Sequence, residues 1–248
     1  MKRQIVDYVN EILRPIGIGI YKEGYDMKSA LKRLKNIPNF EKINTVIDIG
    51  ASNGRWSKEI LTFYPTNLDV CAIEALKERE KDLMKLKTKY SQFDFIISAA
   101  GDKMNKSIKL NVTSDLDGST INSSNPTNIR LVPQVTIDEI VSKKKLNGSF
   151  IIKFDTHGYE IPIISGSIST LQQTEIIIME VYNFKITENT LIFHDMIRHL
   201  DTLGFRVFDI VDLMRRPTDE VFWQMDLFFL RKENPIFYNG KYVFNEKK

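Results

Sequence analysis

From Asn44 onward, short apolar runs alternate with stretches in which apolar residues recur at helical spacing. The first run, Thr45–Ile49, is followed by Trp56, Ile60 and Phe63, which share one helix face, and then by a second apolar run. Two parallel strands can be neighbours only when a crossover of about a dozen residues or more joins them, and here each crossover has the pattern of a helix. The chain is therefore predicted to have an α/β fold with a mostly parallel sheet.

The same alternation resumes at residue 150 and ends differently. Residues 205–211 and 221–230 both have strand patterns, and the segment between them is too short for a helical crossover, so we expect one antiparallel strand. The whole pattern predicts a doubly wound, Rossmann-like sheet of about seven strands with helices on both faces. Residues 1–40 are predicted to form a helical extension, and residues 41–248 the Rossmann-like domain on which it packs.

Composition excludes several classes of protein. Lys and Arg number 35 and Asp and Glu 32, and a net charge of +3 is too small to indicate a nucleic-acid partner. The apolar run 176–179 is far shorter than the ~20 residues of a membrane span, so we expect no membrane association. A single cysteine, Cys71, excludes an internal disulfide framework, and Asp7 and Glu11 interrupt what a signal sequence would need, which favours the cytoplasm.

The middle of the chain is less regular. Residues 108–112 alternate like a half-exposed strand, and residues 115–130 are rich in Ser, Asn, Gly and Thr, which predicts a long loop. Loops of that length in a compact domain are usually functional or mobile, so we interpret this one as a cover over a substrate site. Thr136 followed by Glu139 is a capping box, which predicts a helix that begins there and continues through Val141.

Open α/β sheets bind their ligands at the carboxyl ends of the strands. The first strand runs into the turn Gly50-Ala51-Ser52-Asn53-Gly54, which suits more than one chemistry. A dinucleotide fingerprint, G-x-G-x-x-G, would need glycine in place of Ser52 and a third glycine that is missing. A serine nucleophile elbow, G-x-S-x-G, matches literally, but that turn normally follows several strands and here only one precedes it.

Two carboxylates favour a third possibility, a nucleoside that carries an amino-acid tail. Asp48 suits an ammonium group, whereas it would repel a pyrophosphate. Glu74 ends the second strand, where nucleotide-binding folds place an acid that holds ribose hydroxyls. An adenosyl group with an amino-acid tail describes S-adenosylmethionine, which we predict as the cofactor. The candidate cofactor residues are Asp48, Gly50, Ala51, Ser52, Gly54, Glu74, Ala75 and Ala99.

Longer motifs resemble the FkbM family of S-adenosylmethionine-dependent methyltransferases. The glycine turn with Ile73-Glu74-Ala75 resembles class I methyltransferases in general, and residues 152–160 resemble the FkbM family more specifically. The resemblance implies a class I methyltransferase fold and methyl transfer to a hydroxyl oxygen of a sugar, a glycan or a related natural product, which would be the partner of this chain. The residues that carry it are 46–54, 73–75, 135–140, 152–160, Gly166, 178–181 and 225–229.

An acceptor hydroxyl loses its proton during such a transfer and therefore needs a base. Asp155 ends the fourth strand of the main sheet and His157 follows it, so we predict that one of them accepts the proton; the family usually carries Glu or Gln at the position of His157. Glu180 and Tyr182 end the fifth strand and are predicted to contact the acceptor. No group of residues has the spacing typical of a metal site, so we predict none.

Two alternatives stay open at this point. The first is a non-catalytic nucleotide-binding or interaction module, because a fold does not by itself give an activity. The second is a serine hydrolase built on Ser52, since His157, His194 and His199 all follow that serine in chain order.

Overall fold

The computed structural model describes residues 24–65, 68–104, 106–121, 127–188, 190–238 and 240. Within these residues the chain forms seven α-helices and eleven strands. The helices are α1 (Met27–Arg33), α2 (Arg55–Phe63), α3 (Glu80–Lys89), α4 (Ile137–Lys144), α5 (Glu160–Ser165), α6 (Ile168–Leu171) and α7 (Phe193–Thr202). The strands are β1 (Thr45–Ile49), β2 (Asp69–Glu74), β3 (Phe93–Ile97), β4 (Ala99–Ala100), β5 (Lys106–Asn111), β6 (Thr120–Ile121), β7 (Ile129–Val135), β8 (Phe150–Phe154), β9 (Thr174–Tyr182), β10 (Phe205–Arg215) and β11 (Phe222–Arg231).

Seven strands form the main sheet, in the order β10-β11-β9-β8-β1-β2-β3. All neighbouring pairs are parallel except those of β11, which runs antiparallel to both β9 and β10. The predicted sheet with a single antiparallel strand is therefore confirmed. The strand order reverses between β1 and β8, and in such sheets a ligand crevice opens at the carboxyl ends of the strands where the order reverses.

Two hydrophobic cores cover the two faces of this sheet. One face packs against α1, α2 and α3, with Leu31, Ile60 and Leu83 fully buried. The other packs against the later helices, with Ile140 and Leu200 buried there. Helices thus lie on both faces, because alternate residues of each buried strand face opposite sides and both sides are apolar.

A smaller sheet was not expected from the sequence. It has the order β4-β7-β5-β6, and β5 pairs antiparallel with both β6 and β7. The long loop predicted over residues 115–130 is therefore wrong in part, since β6 lies within it and β7 begins at Ile129. The predicted helix start at Thr136 is confirmed. Of the two reciprocal hydrogen bonds of a capping box, the one from Glu139 N to Thr136 Oγ1 is present, over 3.2 Å.

The described part of the N-terminal segment contacts the main sheet and α2. Arg33 forms an ion pair with Asp209 of β10, and the Tyr64 hydroxyl donates to the Leu31 carbonyl over 2.7 Å. The apolar pattern predicted as a first helix falls within residues 1–23, outside the described residues. In the described ranges no helix is long and apolar enough to cross a membrane.

Candidate active site

One face of the main sheet changes from apolar to charged at the edge formed by the carboxyl ends of its parallel strands, which we call the charged edge. On the face covered by α1 to α3, the side chains alternate with a period of two along each strand, so Asp48 continues the row of Val46 and Lys153 that of Ile151. Each row is apolar in the core and ends in a charged side chain that lines one cavity. These side chains are Glu74 on β2, Asp48 on β1, Lys153 on β8, Glu180 on β9 and Asp226 on β11.

The cavity at this edge has a volume of about 440 Å³. That volume is within the range of small-molecule sites, roughly 300–1,000 Å³. Its walls combine the charged strand ends with apolar side chains, among them Ile73, Leu110 and Ile121. Leu116 and Asp117, from the segment interpreted as a cover, also line it. The strand ends, the glycine turn and that segment therefore meet around one space.

The glycine turn is shaped by the neighbouring strand rather than by a ligand. Gly50 has φ +77°, and a Cβ added there would overlap the carbonyl oxygen of Asp155. Asp155 N in turn donates to the Ile49 carbonyl over 3.0 Å. Gly54, predicted as a cofactor contact, does not line the cavity: its α-carbon faces Leu86 of α3, which a Cβ would overlap. Close packing of the second crossover helix explains that glycine.

Asp48 and Trp56 each carry a buried polar atom without a partner in the described part of the chain. Asp48 is fully buried, and its Oδ2 accepts a 2.6 Å hydrogen bond from the Ser57 hydroxyl, while its Oδ1 accepts none. Burial raises the pKa of Asp48, and the charge of Lys153 opposes that rise. The indole Nε1 of Trp56 is a buried donor that meets no acceptor among the described residues. Both residues line the cavity, so a ligand that offers a donor and an acceptor would satisfy both.

Glu74 accepts hydrogen bonds from two backbone N–H groups. Its Oε2 accepts from Ser52 N over 2.7 Å and its Oε1 from Leu76 N over 2.8 Å. A carboxylate has about four acceptor positions, so two backbone bonds leave room for ligand hydroxyls. Burial raises the pKa of Glu74, and these hydrogen bonds counteract it. Four more of the predicted cofactor residues, Ala51, Ser52, Ala75 and Ala99, line the same cavity as Glu74 and Gly50.

Asp155 is held by Lys153, two residues earlier on the same face. The Lys153 ammonium forms an ion pair with Asp155 Oδ2 and lies 5.6 Å from the centre of the Trp56 ring. Burial opposes ionisation of Asp155 and is the largest single cause, but the charge and hydrogen bond of Lys153, together with the charges of His157 and Arg55, outweigh it and lower the pKa of the carboxyl. Asp155 is therefore a weaker base than the sequence led us to expect, although it does line the cavity.

His157 lies in a hydrogen-bonded chain with Tyr182 and Glu180. Its Nε2 donates to the Asp117 carbonyl over 2.8 Å, and its Nδ1 lies 2.7 Å from the Tyr182 hydroxyl oxygen. The Tyr182 hydroxyl has one hydrogen and donates it to Glu180 Oε1, so Nδ1 must donate as well. A ring in which both nitrogens donate is an imidazolium.

The electrostatics of the pocket agree with that assignment. Burial disfavours the charged ring, but the hydrogen bond and the negative charge of Glu180 prevail and raise the pKa of His157 to about 9. His157 is thus protonated at neutral pH, which differs from the near-neutral base predicted from the sequence. Tyr182, predicted to contact the acceptor, is nearly buried behind His157 and does not line the cavity, whereas Glu180 does.

Asp226 lies in the 225–229 motif and lines the cavity, although the motif did not mark it as a site residue. It lies on β11 opposite Glu180 of β9, and in the described ranges its carboxylate accepts no hydrogen bond and forms no ion pair. Burial raises the pKa of Asp226 to about 7, against the opposing charge of Lys153. The alternation along its strand could have indicated it. Asp226, Phe228 and Leu230 are alternate residues of β11 and so share one face of the sheet, which places a carboxylate in line with core residues.

The Ser52 hydroxyl bears on the hydrolase alternative. It donates to Asp117 Oδ1 over 2.6 Å, and Arg79 Nη2 lies 2.5 Å from the same oxygen. A serine nucleophile needs a histidine base at hydrogen-bond distance, and the hydroxyl is directed at a carboxylate instead. This geometry does not favour a hydrolase.

Three cavity residues have atoms spaced as metal ligands are. Asp155, His157 and Glu180 each offer one ligand atom within 4.8 Å of the others. A metal ion would, however, have to displace Lys153 from Asp155 and replace the hydrogen bond that one of the two His157 nitrogens makes. Positive charge is thus already supplied at this point by the protein.

Comparison with known proteins identifies the family to which this chain belongs. The methyltransferase FkbM domain matches residues 48–207. No curated protein matches the sequence. A solved structure of methyltransferase FkbM from Methylobacillus flagellatus is similar at a TM-score of 0.50 and 16% identity; the match covers 76% of this chain and 44% of that one, so this chain spans less than half the length of that protein.

Two archaeal fibrillarins are further structural neighbours. The Aeropyrum pernix protein, solved with natively bound S-adenosyl-L-methionine, matches at a TM-score of 0.48 and 12% identity over 82% of this chain and 74% of its own. The Methanococcus jannaschii protein matches at a TM-score of 0.49 and 11% identity, over 85% of this chain and 76% of its own. The domain match covers more than half of the chain and includes the glycine turn, Glu74 and residues 152–160. The chain has the class I methyltransferase fold and belongs to the FkbM methyltransferase family.

Proposed function

We propose that this chain transfers a methyl group from S-adenosylmethionine to a hydroxyl oxygen of a sugar, a glycan or a related natural product. Family membership supports methyl transfer from this cofactor. The observation that carries the proposal is the pair of unsatisfied atoms in the cavity wall, the acceptor Oδ1 of Asp48 and the donor Nε1 of Trp56. An amino-acid tail, with one ammonium and one carboxylate, has the complementary groups.

The two residues would hold the two ends of that tail. Asp48 Oδ1 would accept from the ammonium group, and Trp56 Nε1 would donate to the carboxylate. Both protein atoms are buried, and a buried polar group without a partner costs about 1–3 kcal/mol, so satisfying them favours binding. Burial disfavours the charged form of Asp48, and the charge of Lys153 counteracts this only in part. The ammonium group would further stabilise the charged carboxylate.

Glu74 would hold the ribose. Its backbone bonds to Ser52 and Leu76 fix the carboxylate at the end of β2, and its remaining acceptor positions suit a pair of vicinal hydroxyls. The small side chains of Ala75 and Ala99, which line the same cavity, would leave space for a flat base. These positions form the cofactor half of the cavity.

The other half of the cavity is polar and suits an acceptor with several hydroxyls. When bound, S-adenosylmethionine supplies a methyl group on a positively charged sulfur. Asp155, whose carboxylate is held in one place by Lys153, would contribute negative charge toward that sulfur. Glu180, Asp226 and Arg55 line the wall beyond, where they would bind acceptor hydroxyls. Asp155 and His157 both line the cavity, which favours catalysis over a non-catalytic binding module.

Calorimetric titration with two ligands tests the cofactor assignment. S-adenosylmethionine carries the amino-acid tail, and 5′-methylthioadenosine lacks it. We expect Asp48→Asn to weaken binding of the first by about 1–3 kcal/mol and to leave binding of the second unchanged. Asp69→Asn is the matched control, because Asp69 is an exposed carboxylate at the opposite end of the neighbouring strand.

Transfer of a tritiated methyl group to a panel of methyl glycosides tests the acceptor class. Incorporation into at least one glycoside, as an ether stable to mild base, supports the proposal. No binding of S-adenosylmethionine by the unaltered chain would contradict the cofactor assignment. Binding with transfer only to amines would contradict the oxygen acceptor alone.

A further inference from the structure

The carboxylates at the charged edge differ in what they already bind. Asp48 accepts from Ser57, Glu74 from two backbone N–H groups, and Asp155 from Lys153. Glu180 accepts from the Tyr182 hydroxyl and, over 2.6 Å, from Gln224 Nε2. Asp226 differs from the other four, since within the described ranges it accepts from no side chain or backbone N–H group.

We propose that Asp226 is the base that takes the proton of the acceptor hydroxyl during methyl transfer. This inference rests on the proposed function and names the group that carries out its proton step. Asp226 lines the cavity on the β9 and β11 side, beside Glu180 and away from the glycine turn, where the acceptor rather than the cofactor would bind. Neither of its oxygens accepts a hydrogen bond from a described residue, so both are able to accept.

The two bases predicted from the sequence are less suited to this step. His157 already carries its proton, because both ring nitrogens donate hydrogen bonds. Asp155 is stabilised as a carboxylate by Lys153, which lowers its proton affinity. A general base is most effective when its pKa lies near the working pH, and that of Asp226 is raised to about 7.

Charged groups from three neighbouring elements face Asp226. Lys153 on β8 favours its ionised form, whereas Glu180 on β9, Asp155 after β8 and Asp212 on β10 oppose it. Burial adds to the opposition and is the largest cause of the raised pKa. Loss of a nearby negative charge or entry of a cation would therefore lower the pKa of Asp226.

The step balances as a displacement. The hydroxyl oxygen uses a lone pair to form the bond to the methyl carbon, and the carbon–sulfur bond breaks with its electron pair left on sulfur. The hydroxyl proton moves to a carboxylate oxygen of Asp226. The products are a methyl ether, S-adenosylhomocysteine and a protonated Asp226, which returns its proton to solvent after product release.

Carboxyl NMR tests the inference without an acceptor. The full chain is labelled with ¹³C at aspartate side-chain carboxyls, and the signal of Asp226 is assigned by its loss in Asp226→Asn. We expect that signal to titrate near pH 7, as the pKa of about 7 requires. Titration near the ordinary value of 3.8 would overturn the inference whether or not an acceptor is known.

Transfer of the tritiated methyl group to the glycoside panel gives the second measurement. We expect Asp226→Asn to lower kcat by roughly 100-fold or more, as loss of a general base does, and to remove the rise of kcat/KM with pH. Asp226→Glu should restore part of the rate, and Asp219→Asn, at an exposed carboxylate in the β10–β11 turn, should change neither quantity.

Binding of S-adenosylmethionine separates the two proposals. We expect Asp226→Asn to bind it as tightly as the unaltered chain does. If the unaltered chain does not bind it, the proposed function fails. If it binds and Asp226→Asn keeps full rate and the original pH profile, only the assignment of Asp226 fails.

Discussion

The backbone N–H of Ser52 donates a 2.7 Å hydrogen bond to Oε2 of Glu74. This bond joins the turn after β1 to the end of β2, so the two predicted parts of the cofactor site are fixed to each other before any ligand binds. Glu74 Oε1 receives a second backbone bond from Leu76. The carboxylate is thus oriented by the fold, which reduces the ordering cost of ligand binding.

Replacing Glu74 by Gln should weaken binding of both S-adenosylmethionine and 5′-methylthioadenosine. The amide has one oxygen instead of two and cannot accept both backbone bonds and the ribose hydroxyls, so we expect a loss of about 1–3 kcal/mol for each ligand. Calorimetry measures both affinities. Glu41→Gln, at an exposed carboxylate, is the control. Equal affinities for Glu74→Gln and the unaltered chain would remove Glu74 from the site.

Replacing Trp56 by Phe should have a narrower effect. Phe keeps an aromatic ring beneath Lys153 but lacks the indole N–H. We expect about 0.5–1.5 kcal/mol weaker binding of S-adenosylmethionine and no change for 5′-methylthioadenosine, which has no carboxylate. The same titrations measure this difference. An equal loss for both ligands would show that Trp56 acts through packing instead.

Replacing Gly50 by Ala should destabilise the whole domain. The added Cβ would overlap the Asp155 carbonyl, and an L-residue at φ +77° is strained, so we expect a loss of about 2–5 kcal/mol in the free energy of unfolding. Urea denaturation measures it. Gly240→Ala is the control, since a Cβ there meets nothing within 4 Å. A stable Gly50→Ala would show that the two strand ends do not approach as described.

His157 should stabilise the fold in a pH-dependent way. Its pKa is raised from 6.5 to about 9 on folding, so its contribution is complete below pH 6.5 and is lost as the pH rises through about 9. We expect His157→Gln to cost about 1–3 kcal/mol below pH 6.5 and less above pH 9. Urea denaturation at the two pH values, with exposed His194→Gln as the control, measures the difference. A cost that does not change with pH would contradict the imidazolium.

Asp226 should make the folded protein less stable above neutral pH. Its pKa is raised from 3.8 to about 7, so the folded state holds this proton more tightly than the unfolded state, and stability falls as pH rises between those values. Above pH 7 we expect the free energy of unfolding of Asp226→Asn to be about 1–3 kcal/mol larger than that of the unaltered chain. Urea denaturation measures it. A less stable variant at that pH would contradict the unpartnered carboxylate.

Local pattern was enough to predict much of the fold. Strands such as β1 and β8 are short, mostly apolar and buried along their whole length, and the capping residue of α4 is read directly from Thr136. The smaller sheet could not be predicted in the same way. Its strand β7 is mostly exposed and includes Pro133, so its pairing with β5 depends on contacts between distant residues.

The site shows the same division. Asp48, Glu74 and Asp155 follow apolar runs directly, so their positions at the strand ends could be predicted. The charge state of His157 depends chiefly on Glu180 of β9, and also on the Asp117 carbonyl forty residues earlier. The place of Asp226 depends on β11 running antiparallel to β9 in one particular register. Gly54 was predicted as part of a ligand turn because the packing of Leu86 against it, 32 residues later in the chain, cannot be inferred from the local sequence.

A crystal structure of the chain with S-adenosylhomocysteine tests the central claim most directly, because the claim concerns which atoms meet the cofactor. We expect the ribose hydroxyls at Glu74, the ammonium group at Asp48 and the tail carboxylate at Trp56, with Asp226 facing the open half of the cavity. A cofactor bound away from Glu74 and Asp48, or bound with its tail directed elsewhere, would contradict the account.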